Sequence, residues 1–137
     1  RPTGGTTDYA VEMYFDAIDK GEYECFVSKD TRLPMMFMDD AIRATIKLMD
    51  APLESLNYHS NYNLSSMSFS AEELVNEISS HVDFNCIYKP DYRQDIANTW
   101  PISINDEDAR KDWGWEPKFD ITKMTEEMIT NLRRLNE

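Results

Sequence analysis

Residues 4–10 read Gly-Gly-Thr-Thr-Asp-Tyr-Ala, a glycine pair and two hydroxyls that lead into a stretch with helical spacing. A phosphate-binding loop needs a hydrophobic strand before its glycines, followed by a lysine in the P-loop form or a third glycine in the dinucleotide form. This stretch has none of these features, so we do not interpret it as a nucleotide loop. Two interpretations remain. Either the helix N-terminus binds a carboxylate or another small anion, or Thr6 and Thr7 only cap the helix.

The spacing of apolar residues predicts four main helices. The first, from Thr7 to Lys20, has Thr6 or Thr7 as its N-cap and Gly21 as its stop. Its buried face is expected to consist of Val11, Tyr14, Phe15 and Ile18. The second is capped by Asp39, is ended by Pro52 and has one apolar face, made of Ile42, Thr45, Ile46 and Met49. A capping box at 70–73 opens the third, with Leu74, Val75, Ile78 and Val82 on its face. The last runs from about Asp120 to Leu135, and a short helical piece lies around 106–112.

Short apolar runs between the helices predict strands. They lie at Tyr23–Val27, Leu33–Met38, Tyr62–Leu64 and Phe84–Tyr88, whereas 91–115 is otherwise irregular. The order of elements predicts a single α/β domain over residues 1–137, with few short strands and about four main helices. Strands this few and short make a poor sheet alone, which indicates a lobe that packs against something else.

Charge excludes some partners. The chain has 14 Lys and Arg against 26 Asp and Glu, a formal net charge of −12. Nucleic acids and anionic membrane surfaces require clustered cations, and the only dense basic pair is Arg133-Arg134. We therefore expect neither partner, and the apolar runs are too short for a membrane span.

The cysteines and histidines predict no metal site. Cys25 and Cys86 lie in short apolar stretches typical of buried strands, where thiols stay reduced and act as small hydrophobes. His59 and His81 lie in polar surroundings without ligand spacing, which favours surface positions.

The tryptophans differ in their setting. Trp113 and Trp115 flank Gly114 before a proline turn and are expected in the core. Trp100 lies in an irregular polar segment, where it either lines a pocket or braces a loop.

Three stretches resemble a known family. Residues 106–117 are similar to the tail that closes extended short-chain dehydrogenases/reductases of the nucleotide-sugar epimerase type. Residues 4–10 and 32–45, together with 92–94 and 99–101, look more narrowly like the short-chain type of L-threonine 3-dehydrogenase. The resemblance covers essentially the whole chain.

The resemblance implies a C-terminal substrate-binding lobe without its N-terminal Rossmann domain. In that family the missing domain carries the NAD loop and the catalytic Tyr-x-x-x-Lys pair, so this chain is expected to hold no catalytic or cofactor-binding residue and to be inactive alone. The implied reaction is NAD-dependent oxidation of L-threonine to 2-amino-3-ketobutyrate. Gly5, Thr6 and Thr7 would contact the substrate and Trp100 would wall the pocket. Arg93 stands near the place where sugar-nucleotide relatives hold a phosphate, and a structural ion pair is its alternative.

The resemblance also implies partners and a location. The partners are the NAD domain and a second subunit in a homodimer, and the location is cytoplasmic in bacteria or mitochondrial in eukaryotes. Two other functions stay open: a lobe of a nucleotide-sugar epimerase or dehydratase, for which basic residues are scarce, and a non-catalytic acidic interaction module. We expect an exposed apolar patch where the NAD domain docks.

Overall fold

The computed structural model describes residues 4–135, which form helices and short strands in alternation, as the sequence predicts. The helices of this part are α1 (Tyr9–Asp19), α2 (Met38–Met49), α3 (Ala71–Ser79), α4 (Tyr92–Ala97), α5 (Glu107–Trp113) and α6 (Ile121–Leu135), with a 3-10 turn at Leu53–Ser55. The strands are β1 (Glu22–Cys25), β2 (Arg32–Met35), β3 (Met67–Ser70) and β4 (Asn85–Tyr88). The predicted domain, 1–137, extends beyond the described residues at both ends.

The strands form two separate pairs. β1 and β4 are parallel, with Tyr23 opposite Cys86 and Cys25 opposite Tyr88. β2 and β3 are antiparallel, with Leu33 opposite Phe69. Two-stranded sheets are barely stable without packing on their faces, so both pairs depend on the helices around them.

The larger core lies among α1, α3, α6 and the β1–β4 pair. Its fully buried side chains include Tyr9, Met13 and Tyr14 of α1 and Leu74 and Ile78 of α3. The Tyr14 hydroxyl lies 2.7 Å from Oγ1 of the buried Thr125 on α6, which satisfies both polar groups inside the core.

A second core cluster joins α2 to α5. Ala44 of α2 packs with Ala109, Trp113 and Trp115, and all four are buried. This confirms the prediction that Trp113 and Trp115 belong to the core. The indole of Trp115 donates a hydrogen bond to the Ser65 carbonyl at 3.0 Å, which ties the preceding loop to the cluster.

Asp40 fixes the start of α2 to the segment before α6. Its buried carboxylate accepts hydrogen bonds from the backbone amides of Lys118 (3.0 Å) and Phe119 (3.1 Å) and from the Arg43 guanidinium (2.6 Å). Burial alone would raise the pKa of Asp40, but the hydrogen bonds from Arg43, Phe119 and Lys118 outweigh it and hold that pKa below its usual value.

The start of α1 differs from the prediction. The helix begins at Tyr9, so Asp8 and not Thr6 or Thr7 occupies the N-cap position. The reason is local: the backbone of 5–8 forms a turn of its own, with the Asp8 amide donating to the Gly5 carbonyl at 3.1 Å. Val11, expected on the buried face, is exposed, and Ala10, Met13 and Ala17 are buried in addition to Tyr14.

The predicted buried face of α2 is wrong. The helix begins at Met38, with Phe37 rather than Asp39 at its N-cap. Ile42, Thr45, Ile46 and Met49 are exposed, and the buried positions are Asp40 and Ala44. Small Ala44 faces the core because it allows α2 to approach the bulky tryptophans closely.

Two further expectations are corrected. Tyr62–Leu64 lies in a loop outside any strand, because Tyr62 and Leu64 pack against the tryptophan cluster, and the strand of this region is β3. The segment after β4, expected to be irregular, begins with the short helix α4, which Asp91 caps by accepting from the Arg93 amide at 2.8 Å.

The capping box at 70–73 is confirmed. The Glu73 amide donates to Ser70 Oγ at 3.1 Å, and the Ser70 amide donates to Glu73 Oε2 at 3.0 Å.

Both cysteines are free thiols; Cys25 is buried and Cys86 is partly buried.

Candidate functional site

The turn before α1 is closed by its own carboxylate. Gly4 and Gly5 donate their backbone amides to Asp8 Oδ2 at 2.8 and 2.7 Å. Gly4 has φ +108°, a conformation that side chains other than glycine rarely adopt. Because a carboxylate already occupies these amides, a phosphate there would meet a negative charge, so the geometry agrees with rejecting a nucleotide loop.

Thr6 and Thr7 are the two central residues of this turn, between Gly5 and Asp8. Both are partly buried, and the Thr7 carbonyl accepts from the Ala10 amide at 3.1 Å. In the described part of the chain, α1 has no side-chain cap at its start. The threonine hydroxyls are therefore not used to cap the helix, which removes the simpler of the two interpretations of this stretch.

A stack of three side chains joins the start of α1 to α4. The Arg93 guanidinium carbon lies 3.2 Å from the ring centroid of Phe26, and the Phe26 ring meets the ring of Tyr9 edge-on, with 5.9 Å between centroids. Such cation–π and edge-to-face contacts are favourable when they are shielded from water. Sequence reasoning missed this stack because its members are far apart in the chain.

Arg93 is also paired with Asp91. Its Nη2 lies 2.6 Å from Asp91 Oδ2 and its Nε lies 3.1 Å from both carboxylate oxygens. This hydrogen bonding raises the pKa of Arg93 and lowers that of Asp91. Phe26 thus covers the face of the guanidinium and Asp91 occupies its edge. Both contacts favour a structural ion pair over a phosphate contact.

The Tyr9 hydroxyl is buried and has no hydrogen-bond partner among the described residues. Burial, reinforced by the nearby Cys25, raises the pKa of Tyr9. The tyrosine therefore stays protonated at neutral pH and serves as a packing residue between α1 and Phe26.

Trp100 lies in the turn that follows α4 and is 42% exposed. Its amide donates to the Ala97 carbonyl at 3.1 Å, and Thr99 Oγ1 donates to the Ile96 carbonyl at 2.7 Å. Within the described residues, no hydrogen bond or ring contact joins Trp100 to the 4–8 turn. Arg93 and Trp100 thus share one segment, whereas Gly5, Thr6 and Thr7 lie on another.

An apolar cavity of about 230 Å³ lies beside α1, one turn after Thr7. Its lining residues are all apolar or aromatic; they are Ala10, Val11, Tyr14, Met35, Met36, Phe37, Met38, Phe69, Met124 and Met128. A diphosphate requires cations, so this cavity does not suit a sugar nucleotide.

Metal chemistry has no support in residues 4–135, where no group of three or more His, Cys, Asp or Glu side chains could hold an ion. His59 is exposed, and His81 Nε2 lies 3.3 Å from Oε1 of Glu77 on α3. In the same range no helix is long and apolar enough to cross a membrane.

Comparison with known proteins gives the class. No protein-family model matches the chain. It is 47% identical over 131 residues to bovine mitochondrial L-threonine 3-dehydrogenase, covering 94% of this chain and 35% of that protein. It is 50% identical over 130 residues to an uncharacterized epimerase/dehydratase of Staphylococcus haemolyticus, covering 93% of this chain and 41% of that protein. The chain is therefore related to the epimerase-like short-chain dehydrogenases/reductases and is consistent with a C-terminal part of them.

The chain is also similar to solved structures of L-threonine dehydrogenases. A monomeric L-threonine 3-dehydrogenase from a metagenome, in its apo form, is 87% identical with a TM-score of 0.96, covering 99% of this chain and 44% of that one. The bovine and the metagenomic relatives are both named L-threonine 3-dehydrogenases. The chain spans about two fifths of the length of the relatives that it matches.

Proposed function

We propose that this chain is the substrate-binding part of an NAD-dependent L-threonine 3-dehydrogenase, which oxidises the 3-hydroxyl of threonine to give 2-amino-3-ketobutyrate. The observation that carries the proposal is the 87% identity and the 0.96 TM-score to a protein of that name over almost the whole chain.

Among residues 4–135, neither the turn before α1 nor Arg93 is free to hold the phosphates of NAD. Asp8 occupies the amides of Gly4 and Gly5, and Arg93 is held by Asp91 and Phe26. We therefore propose that the rest of a longer protein binds NAD, which accepts the hydride in such oxidations. The chain alone would then be inactive.

The proposed task of this chain is to hold and orient threonine. The hydroxyls of Thr6 and Thr7, which are not used to cap α1, would contact the polar groups of the substrate. Gly5, which has no side chain, would let the backbone approach the substrate closely, and Trp100 would form one wall of the substrate pocket. Correct orientation of a bound substrate accounts for a large part of enzymatic rate acceleration.

The relatives suggest how the proposed enzyme is assembled. The family resemblance implies a homodimer for the complete enzyme, and this stays a prediction. The relative at 87% identity is named as monomeric, so we propose that one polypeptide contains the complete site. The bovine relative is named as mitochondrial, and the compartment of this chain stays a prediction.

A nucleotide-sugar epimerase or dehydratase is the second candidate, because relatives at 48–50% identity are named epimerase/dehydratase. The apolar cavity beside α1 and the engaged guanidinium of Arg93 argue against it. A non-catalytic acidic module is disfavoured, since the chain aligns with part of longer oxidoreductases.

The test measures NADH formation from L-threonine by the complete protein that carries this chain, with UDP-galactose epimerisation as the competing assay. In Thr7→Ala and Trp100→Ala we expect kcat/KM for threonine to fall roughly tenfold or more, since one lost substrate contact has about this effect. Thr130→Ala, on the exposed side of α6, and Tyr58→Ala are matched controls and should keep wild-type values. Absence of threonine-dependent NADH rejects the proposed activity, and unchanged kinetics in both site variants reject the site assignment.

A further inference from the structure

Gln94 on α4 joins this helix to residues 26–31, the loop between β1 and β2, which we call the β1–β2 loop. Its Oε1 accepts hydrogen bonds from the Ser28 backbone amide at 2.6 Å and from Thr31 Oγ1 at 2.9 Å. A backbone amide can only donate, so the oxygen of the Gln94 side chain faces the loop and its nitrogen faces away. Thr31 uses its single hydroxyl proton on Gln94, so Ser28 Oγ donates to Thr31 Oγ1 at 2.9 Å.

The nitrogen of the same side chain reaches the end of α4. Gln94 Nε2 donates to Asn98 Oδ1 at 2.7 Å, and the Asn98 backbone amide donates to the Gln94 carbonyl at 2.9 Å. Asn98 is the C-cap residue of α4 and stands two residues before Trp100. One side chain therefore fixes the last turn of this helix to the β1–β2 loop.

The position of Trp100 depends on that last turn. Its backbone amide donates to the carbonyl of the buried Ala97 at 3.1 Å. Among residues 4–135, its indole has neither a hydrogen bond nor a ring contact. Because no such contact holds the ring, the backbone turn at 97–100 determines where the ring lies.

The β1–β2 loop also supports the other segment of the proposed site. Phe26, at the start of the loop, meets Tyr9 edge-on with 5.9 Å between ring centroids, and Tyr9 follows Thr7 by two residues. The loop is itself held by α3, since the Ala71 amide donates to the Thr31 carbonyl at 3.1 Å. Both segments of the proposed site therefore rest on one loop.

We infer that Gln94 is a positioning residue, which holds Trp100 in place for the bound substrate through Asn98. This inference rests on the proposed function, in which Trp100 forms one wall of the threonine pocket. A misplacement of about 1 Å at a bound substrate can lower the rate about a hundredfold. Gln94 therefore acts on turnover without touching the substrate.

Arg93, the neighbour of Gln94, has a different role. It stacks on Phe26 and pairs with Asp91, so it holds the first turn of α4. Neither of these contacts reaches Asn98 or the turn at 97–100. Loss of the Arg93 side chain is expected to lower stability, whereas loss of the Gln94 amide is expected to displace Trp100.

The first test measures kcat/KM for L-threonine in the complete protein that carries this chain. Gln94→Met keeps the length of the side chain and removes its three hydrogen bonds, so kcat/KM should fall about fivefold or more. In a Trp100→Ala background the same change should alter kcat/KM by less than about twofold, because residues that act through one another are not additive. Equal factors in the two backgrounds overturn the inference.

Variants of Asn98 test the same link without disturbing the loop, and they stay informative if Gln94→Met does not fold, because Asn98 is exposed. Asn98→Ala removes the acceptor of Gln94 Nε2 and should lower kcat/KM as Gln94→Met does. Asn98→Asp supplies an acceptor again and should recover most of this loss. The matched control is Asn131→Ala, which removes a hydrogen bond to Glu127, also four residues away, on the exposed surface of α6. A loss in Asn131→Ala equal to that in Asn98→Ala contradicts the positioning role.

Fluorine NMR of the complete protein labelled with 5-fluorotryptophan observes Trp100 independently of turnover. Its signal is the one that disappears in Trp100→Phe. Gln94→Met and Asn98→Ala should shift or broaden this signal and leave the signals of the buried Trp113 and Trp115 unchanged. An unchanged Trp100 signal overturns the inference, and so does a shifted signal with wild-type kinetics. A shifted signal in a protein without threonine-dependent NADH formation supports the link from Gln94 to Trp100 and rejects the proposed function.

Discussion

Asp8 Oδ2 lies 2.7 Å from the backbone nitrogen of Gly5, so the first acidic residue of the chain holds the turn that leads into α1. A Cβ built on Gly5 would lie 3.0 Å from Asp8 Oδ1, closer than such contacts normally are. The Asp8 carboxylate therefore holds this position because residue 5 has no side chain.

Gly5→Ala should displace this carboxylate and shift Thr6 and Thr7. In the complete protein we expect the KM for L-threonine to rise several-fold, while unfolding stability changes by less than about 1 kcal/mol, since the turn is exposed. Steady-state kinetics and urea unfolding measure the two effects. The matched control is Gly21→Ala, which has a strained φ of +72° but lies at the opposite end of α1; it should reduce stability without altering KM. A similar KM change in both variants would contradict a local role for Gly5.

Arg93 should matter for stability more than for substrate affinity. Arg93→Ala removes the contact with Phe26 and the pairing with Asp91, and should reduce the free energy of unfolding by about 1 kcal/mol. Arg93→Lys should recover little of this, because an ammonium lacks the planar fork and the stacking face. Chemical denaturation of the isolated chain is the measurement. A raised KM for substrate in Arg93→Ala, with stability unchanged, would instead make Arg93 a ligand contact.

Asp40 should be among the polar side chains on which stability depends most. Asp40→Ala leaves the amides of Lys118 and Phe119 and the Arg43 guanidinium without their acceptor, and a loss of about 3 kcal/mol is expected. Asp39→Ala, one position earlier and exposed, should cost far less. Urea midpoints of the two variants give the comparison, and equal midpoints would contradict the role of Asp40.

The same carboxylate predicts a pH dependence. The pKa of Asp40 is lower in the folded chain than the ordinary value of about 3.9 for an unfolded aspartate. Its contribution is therefore complete above about pH 4 and is lost as the pH falls through the folded pKa. The stability difference between wild type and Asp40→Asn should be constant from pH 7 to 5 and shrink as the pH falls below about 4. A difference that grows on acidification is the opposite sign and would reject this assignment.

The two cysteines should stay reduced and react unequally. The Cys25 thiol is fully buried, and its interaction with Cys86 together with burial raises its pKa, so little reactive thiolate forms. Reaction of the native chain with a thiol reagent should be slow at Cys86 and slower still at Cys25, with both reacting rapidly in guanidinium. Rapid native reaction of Cys25 would show that the β1–β4 pair opens easily.

Local sequence patterns predicted the positions of the helices better than they predicted which helix faces are buried. The helical spacing located α1, α2, α3 and α6, because an apolar row is visible in the sequence. On α2 the spacing showed the outer row of Ile42, Ile46 and Met49 and missed the inner contact through Ala44, since a small residue gives a weak signal. Which row packs against this chain depends on Trp113 and Trp115, which lie far away in sequence.

Long-range pairing explains the other differences. β3 forms at Met67–Ser70 because these residues meet β2, and no local signal distinguishes them from Tyr62–Leu64. The assignment of Gly5, Thr6, Thr7 and Trp100 came from family resemblance and stays a prediction. The stack of Arg93 on Phe26 depends on contacts between distant segments, which explains why residue types alone left two roles open for Arg93.

The parallel pairing of β1 with β4 has a kinetic consequence. Residues 22–25 meet residues 85–88, so the long intervening segment must close into a loop before this sheet can form. Loop closure has an entropic cost, and folding slows when native contacts join distant segments. We expect α1 and α3 to gain helical structure early and the two strands to join late. Recovery of the native chain after denaturation is then limited by the rate of that closure, however stable the individual helices are.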